Sequence, residues 1–287
     1  MSIVICDTPT LAERYDKVSN SQFEHGKLLV EDLNINKGDH ILDIGCGTGR
    51  LAEYILEIIG NKGCIYGIDP AEYRVQVARK KIKNKSPPNI SFEVGKGEDL
   101  GGFADNSFDT VVMNVVFGWI VDKKATLAEI YRVLKPDGHL GITTSSRGLP
   151  GPLMVITDEL LKREPYASKV NAGGMDSGKS ITADQLLQLL IDAGFSDINL
   201  KLRRTSIYYR NPSDLIEFTE ASHFGNYLDH VPLYLRDAYK SEYITELEKR
   251  QTAKGIGSVW NMLHVITRKP SGDAYDSQNQ SRLSDIR

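Results

Sequence analysis

Cysteine is scarce: Cys6, Cys46 and Cys64 are the only three in 287 residues. Their spacing fits neither a zinc site nor the dense framework of a disulfide-stabilised secreted domain. A reducing, cytoplasmic setting and the absence of a bound metal are therefore expected. Basic charge is not in excess either. Thirty-five Lys and Arg face 38 Asp and Glu, and a net charge of −3 provides no field to hold nucleic acid. The one basic run, Arg79 to Lys85, reads as the solvated face of a helix. No long apolar run is present: the most hydrophobic stretch, Val111 to Val121, is broken by Asn114 and falls well short of the ~20 residues that span a bilayer. The first residues lack the basic start and the small-residue cleavage site of a secretion signal. What remains, 40% hydrophobic and 25% charged residues, is the composition of an ordinary soluble globular protein. A monomer or homodimer without membrane insertion is expected.

From about His40 to Arg147, short apolar runs alternate with amphipathic ones, the signature of a parallel sheet with crossover helices. The pattern predicts strands over Ile41–Ile44, Cys64–Ile68, Ile90–Val94, Thr110–Val115 and Leu140–Thr144. Helices are predicted over about Arg50–Ile59, Ala71–Lys83 and Lys124–Leu134. Pro70 starts the second of these, and Pro136-Asp137-Gly138 ends the third with turn chemistry. Residues 150–179 read as a loop around a short helix, Leu153–Lys162. A helix over Ala183–Ala193 and a strand over Ile198–Leu202 follow. Asn211 to Lys254 reads as two or three helices, Val259–Thr267 as a last strand, and 271–287 as a disordered polar tail.

The strongest local signal is His40-Ile-Leu-Asp-Ile-Gly-Cys-Gly-Thr-Gly-Arg50: a buried strand ending at Asp43, a loop with Gly45, Gly47 and Gly49, then a helix. Such a loop lets backbone approach a ligand closely, and the free N–H groups of the helix start attract negative charge. A dinucleotide fingerprint would place a third glycine where Arg50 stands, and Asp43 would repel a pyrophosphate. A ligand carrying both an ammonium and a carboxylate suits the two features together. Asp69 ends the second strand, 26 residues after Asp43. An acid there can grip two ribose hydroxyls, or simply cap the helix that begins at Pro70. After the third strand, Gly97 can offer its N–H to an adenine nitrogen and Glu98 can accept from the exocyclic amine; a plain turn is the other reading. Asn114 sits where the fourth strand ends, and Trp119 follows at the end of a sheet where ligands of open α/β folds bind.

Taken in order, LDIGCGTGRLA (42–52), YGIDP (66–70), GKGEDL (95–100), DNSFD (105–109) and EIYRVLKPDGHL (129–140) resemble the class I S-adenosylmethionine (SAM)-dependent methyltransferases. More narrowly, they are similar to the ubiquinone/menaquinone-biosynthesis C-methyltransferases and the carrier-protein O-methyltransferase of biotin synthesis. The likeness covers roughly residues 10 to 145. It implies a Rossmann-like α/β fold: a seven-stranded, mostly parallel sheet with helices on both faces and a helical lid inserted before the last strand. The expected parts are N-terminal helices over 1–38 capping the cofactor site, a SAM-binding core over 39–210 with an insertion at about 148–180, a lid over 211–255 and the last strand over 256–270. The resemblance implies cofactor contacts from Asp43, Gly45, Gly47, Asp69 with the adjoining Pro70, Gly97, Glu98 and Asn114, with Tyr15 closing over the cofactor. Two departures stand out: Lys96, where an Asp or Asn is common, and Gly101-Gly102, where Pro-Phe is usual.

The implied reaction is methyl transfer from SAM to an O, N or C atom of a small molecule, in which alignment alone contributes ~7–11 kcal/mol. A general base is needed only if the acceptor must lose a proton. His223, His230, His264 and Tyr209 are candidates, and each also reads as a structural residue. Trp119 and Tyr227 are candidate substrate-pocket residues. Residues 214–250 carry eight acids and four bases, which argues against an acidic acceptor. Two other functions stay open: a SAM-binding partner or sensor without catalysis, and a nicotinamide-dependent oxidoreductase, against which Arg50 and Asp43 count. Arsenic methylation, found among relatives of the family, would require the three cysteines to converge.

Overall fold

The first helix, α1 (Pro9–Val18), starts where its chemistry dictates: Pro9 fills the first turn and the Thr8 hydroxyl accepts from the Leu11 N–H. The computed structural model describes residues 6–83, 89–149, 151–169 and 180–271. Most of the polar tail, residues 170–179 of the insertion and the end of the basic run at 84–85 lie outside the described residues.

After α1 come α2 (Asn20–Leu33), β1 (His40–Ile44), α3 (Arg50–Ile59), β2 (Cys64–Asp69), α4 (Glu72–Ile82), β3 (Ile90–Val94), β4 (Phe108–Asn114), α5 (Lys123–Val133) and β5 (Leu134–Ser145). The second half contributes α6 (Pro152–Leu161), α7 (Ala183–Asp192), β6 (Ser196–Tyr209), α8 (Pro212–Ser222), α9 (Arg236–Glu248), a two-residue β7 (Gln251–Thr252) and β8 (Gly255–Arg268). The strands order as β3-β2-β1-β4-β5-β8-β6, with β7 folded back on β8. The first five of that order are mutually parallel; β8 runs antiparallel between β5 and β6. The fold is thus the Rossmann-like, mostly parallel sheet expected.

Apolar faces explain the layers. Leu51, Ala52, Ile55 and Ile59 of α3 form one buried stripe against Ile41, Ile65 and Val112 of the sheet. α2 joins the same layer through Leu29, Val30 and Leu33, while its first turn faces the site described below. The opposite face is covered by α5 and α7, with Leu127, Ile130, Leu186 and Leu190 packed on Val111, Leu140 and Ile142. A third apolar cluster is separate from both. It joins Ile156 and Leu160 of α6, Leu215 and Phe218 of α8, and Tyr239, Tyr243 and Leu247 of α9. This cluster draws α6, from between β5 and β6, together with α8 and α9, from between β6 and β8, and reaches the sheet through Tyr209 and Ile256.

Candidate active site

β1 pairs with β2 on one side and with β4 on the other, so the crossovers reverse direction at β1 and leave a crevice beyond the carboxyl ends of β1 and β4. A cavity of about 1070 Å3 opens there. Its wall runs from Tyr15, Gly45, Gly47, Asp69 and Pro70, past Asn114 and Trp119, to the aromatic and apolar side chains of Phe218, Trp260 and Met262.

The glycine loop is shaped by its bonds to β2. The N–H groups of Gly45 and Cys46 donate to the Ile68 carbonyl at 2.7 and 3.1 Å. Gly45 has φ +75, and a Cβ there would lie 2.2 Å from Val116, so no other residue fits the turn. Gly49 has φ +79 and caps α3; its Cβ would meet the Phe92 ring at 2.6 Å. The close helix–strand contact that a dinucleotide fold builds with its third glycine is thus made by Gly49. Arg50 does not obstruct it, because its guanidinium turns outward to the Asp16 carbonyl, the Ser19 hydroxyl and Asn20 Oδ1 at 3.2, 3.2 and 2.8 Å.

Asp69 and Asp43 are both buried. The two oxygens of Asp69 accept the Gly47 N–H at 2.9 Å and the Ala71 N–H at 2.8 Å. A carboxylate offers about four acceptor positions, so this acid tethers the loop and retains lone pairs for a vicinal diol. Burial raises its pKa, and Arg74 with the two N–H bonds opposes the rise. Asp43 stands behind the loop, outside the cavity wall, and its Oδ2 is buried without a hydrogen-bond partner among the described residues. Burial, and then the nearby Asp69, push its carboxyl up to about 7. A buried acid with an orphaned oxygen fits a cation that arrives with a ligand. The pair therefore suits a molecule carrying an ammonium and a ribose.

At the end of β4, the Asn114 amide donates to the Gln22 carbonyl and its Oδ1 accepts from the Thr143 hydroxyl, both at 2.8 Å. That hydroxyl also accepts the Val115 N–H at 2.8 Å. Val115 has φ +58, an unusual conformation for a β-branched residue, and these bonds hold it in the cavity wall. Trp119 packs edge-on against His223 and Phe224, at 5.8 and 5.3 Å between ring centres. His223 also lines the cavity, and its Nδ1 lies 2.9 Å from the Thr219 carbonyl. That carbonyl accepts a hydrogen bond from Nδ1–H, which places the hydrogen of a neutral ring on Nδ1.

The remaining expected site residues lie elsewhere. Gly97 is buried between Ile44 and Thr126, and Glu98 Oε1 accepts the Val121 N–H at 3.2 Å; neither is in the cavity wall. Tyr227 and Tyr209 belong to the third apolar cluster, where burial raises the pKa of both hydroxyls, Tyr227 to about 12. His230 meets Tyr239 edge-on in the same region. His264 is buried on β8 beside His25, and desolvation holds both near 4. Among the described residues no group of three or more His, Cys, Asp or Glu converges on a metal position, and all three cysteines are free.

Sequence reasoning missed Arg74, Val115, Trp260 and Met262, all of which line the cavity. Arg74 had a readable signal: it lies on the buried stripe of α4 formed with Ala71, Val75 and Ala78, where an arginine is out of place unless paired. Trp260 and Met262 come from β8, more than 200 residues from the glycine loop, and only the topology brings them there.

Residues 35–194 match the model of a methyltransferase-domain family. The demethylmenaquinone methyltransferase of Lactobacillus johnsonii is 29% identical over 202 residues, covering 66% of this chain and 82% of that protein. A ubiquinone/menaquinone biosynthesis C-methyltransferase of Francisella philomiragia is 29% identical over 182 residues, 60% of this chain and 72% of the relative. In architecture the chain is similar to the YcgJ protein of Bacillus subtilis, with a TM-score of 0.60 at 18% identity over 87% of this chain and 99% of that one.

Proposed function

The chain belongs to the methyltransferase-domain family of SAM-dependent enzymes, and we propose that it moves the methyl group to an O, N or C atom of an uncharged, largely apolar small molecule. The observation that carries this reading is the single continuous cavity. One end holds the glycine loop and Asp69; the other is walled by Phe218, Trp260, Met262 and Leu153. The names of the two relatives favour a quinone-type acceptor, and the second of them favours carbon as the methylated atom.

SAM supplies an activated methyl on a positive sulfur. The protein's part is to hold and align. Gly45 and Gly47 let the loop backbone come close to the amino-acid end, Asp69 would take the ribose hydroxyls, and Asp43 would balance the ammonium from behind the loop. Gly97 and Glu98 are the candidates for the adenine end. Tyr15 and the first turn of α2 cover the loop, and the segment 211–255 acts as a lid that excludes water. Trp119 and the β8 side chains orient the acceptor ring. His223, whose Nδ1–H donates to the Thr219 carbonyl, lines the cavity and would be the residue to hold a proton released by the acceptor. Such a base contributes roughly 10²–10⁴-fold.

The test is incubation with methyl-labelled SAM and an extract of the source cells. Label is expected in an uncharged, solvent-extractable product. Label confined to phosphorylated or carboxylated acceptors would overturn the substrate class.

A further inference from the structure

Among the described residues Arg74 is the one arginine of the cavity wall, buried at 4% exposure, and its surroundings come from two separate parts of the chain, residues 7–15 and 221–224. Its Nε donates to Asp7 Oδ2 at 3.0 Å, an ion pair in which both side chains are almost fully covered. Its Nη2 donates to the Ala221 carbonyl, in the last turn of α8, at 2.7 Å. Its guanidinium carbon lies 3.9 Å from the ring centres of both Tyr15, on α1, and Phe224, just after α8. Arg74 itself stands five residues beyond Asp69.

We propose that Arg74 is a positioning residue for the donor nucleotide, a planar clasp that holds α1 and the end of α8 together over the cofactor end of the cavity. The proposal rests on the reading that SAM binds at the glycine loop and Asp69. The chemistry favours arginine over any other residue. A flat, delocalised cation stacks on two aromatic faces while its edge donates to a carboxylate and a carbonyl; an ammonium cannot do both. The consequence for the loop is direct. Tyr15 lies 3.4 Å from the position a Cβ on Gly47 would take, so the ring that Arg74 holds is the one resting on the cofactor loop. The same cation faces Asp69 and favours its ionised form, the form that accepts from ribose hydroxyls. By joining the residues before α1 to α8, Arg74 makes closure of the amino-terminal cover and of the lid one event. The bound nucleotide can leave only when both open.

The test measures the affinity of S-adenosylhomocysteine (SAH) by calorimetry and its dissociation rate by stopped flow, in the full chain. Arg74→Met alone would leave the Asp7 carboxylate buried without its counter-charge, so it is combined with Asp7→Asn. The double variant is expected to release SAH about 10- to 100-fold faster, in line with losing hydrogen bonds from a charged group. Arg74→Lys keeps the charge and the ion pair but loses the stacked plane; it is expected to release SAH faster than the parent and more slowly than the double variant. Phe224→Leu removes one face of the stack without touching the ion pair and serves if the double variant does not fold; it too should speed release. Parental dissociation rates in folded Arg74→Lys and Phe224→Leu would overturn the clasp. If the parent itself binds no SAH, the cofactor reading fails and the clasp falls with it; normal parental binding with unchanged variants defeats the clasp alone.

Discussion

Asp43 and Asp69 end neighbouring strands, yet their surroundings give them different properties. Asp69 is satisfied by two backbone N–H groups, whereas Asp43 has an orphaned oxygen and titrates near 7. A carboxyl with a raised pKa is partly protonated in the free protein at neutral pH and must ionise to hold an ammonium. Affinity for SAH is therefore expected to be full above pH 8 and to fall by up to about tenfold per unit as pH drops below 7. Calorimetry from pH 8.5 to 5.5 checks this, and Asp43→Asn should abolish the slope. Asp69→Ala is expected to weaken SAH binding about 10- to 100-fold, since it removes both the diol acceptor and the tether on Gly47. Circular dichroism should show the fold retained. The sequence disclosed Asp69 because an acid at a strand end is a local pattern. It could not disclose the orphaned Asp43 oxygen or the partners of Arg74, which depend on contacts with distant segments.

At the scale of elements, the glycine loop owes its shape to its bonds to β2 and to the start of α3 lying against Phe92 of β3. Gly49→Ala puts a methyl group into the Phe92 ring at a left-handed position. A loss of about 1–3 kcal/mol in stability is expected from the backbone alone, read in urea denaturation. The parallel strands were legible because each is a short apolar run. Two elements were not. β6 and β8 are 14 residues each, much longer than the stretches Ile198–Leu202 and Val259–Thr267. The parts beyond those stretches carry Arg203, Arg204 and Ser206 in β6 and Gly255, Gly257 and Ser258 in β8, residues that hide a strand pairing fixed by backbone bonds. Pro136-Asp137-Gly138 is the turn its residues suggest, with Asp137 at φ +63, but it interrupts β5 instead of preceding it. The register skips there from Phe108–Leu134 to Thr110–His139.

At the scale of the whole molecule, the cavity lies where the open end of the sheet meets a second core built by α6, α8 and α9. A ligand that fills the cofactor end touches α1, the loop and the turn after β4, and so couples segments that the free protein holds only through side chains. At 100 times its Kd, SAH is expected to add about 2.7 kcal/mol to stability. For a chain of this size that raises Tm by roughly 5–10 °C, which differential scanning calorimetry reads directly. The Asp69→Ala protein at the same SAH concentration should show a smaller rise. The most direct trial of the central claim, that the turn after β1 receives the amino-acid end of a sulfonium nucleotide, is a calorimetric titration of the parent protein at pH 8 with SAH and, separately, with NADH. The account predicts one SAH per chain and no heat from NADH. Saturable NADH binding with none for SAH would contradict it.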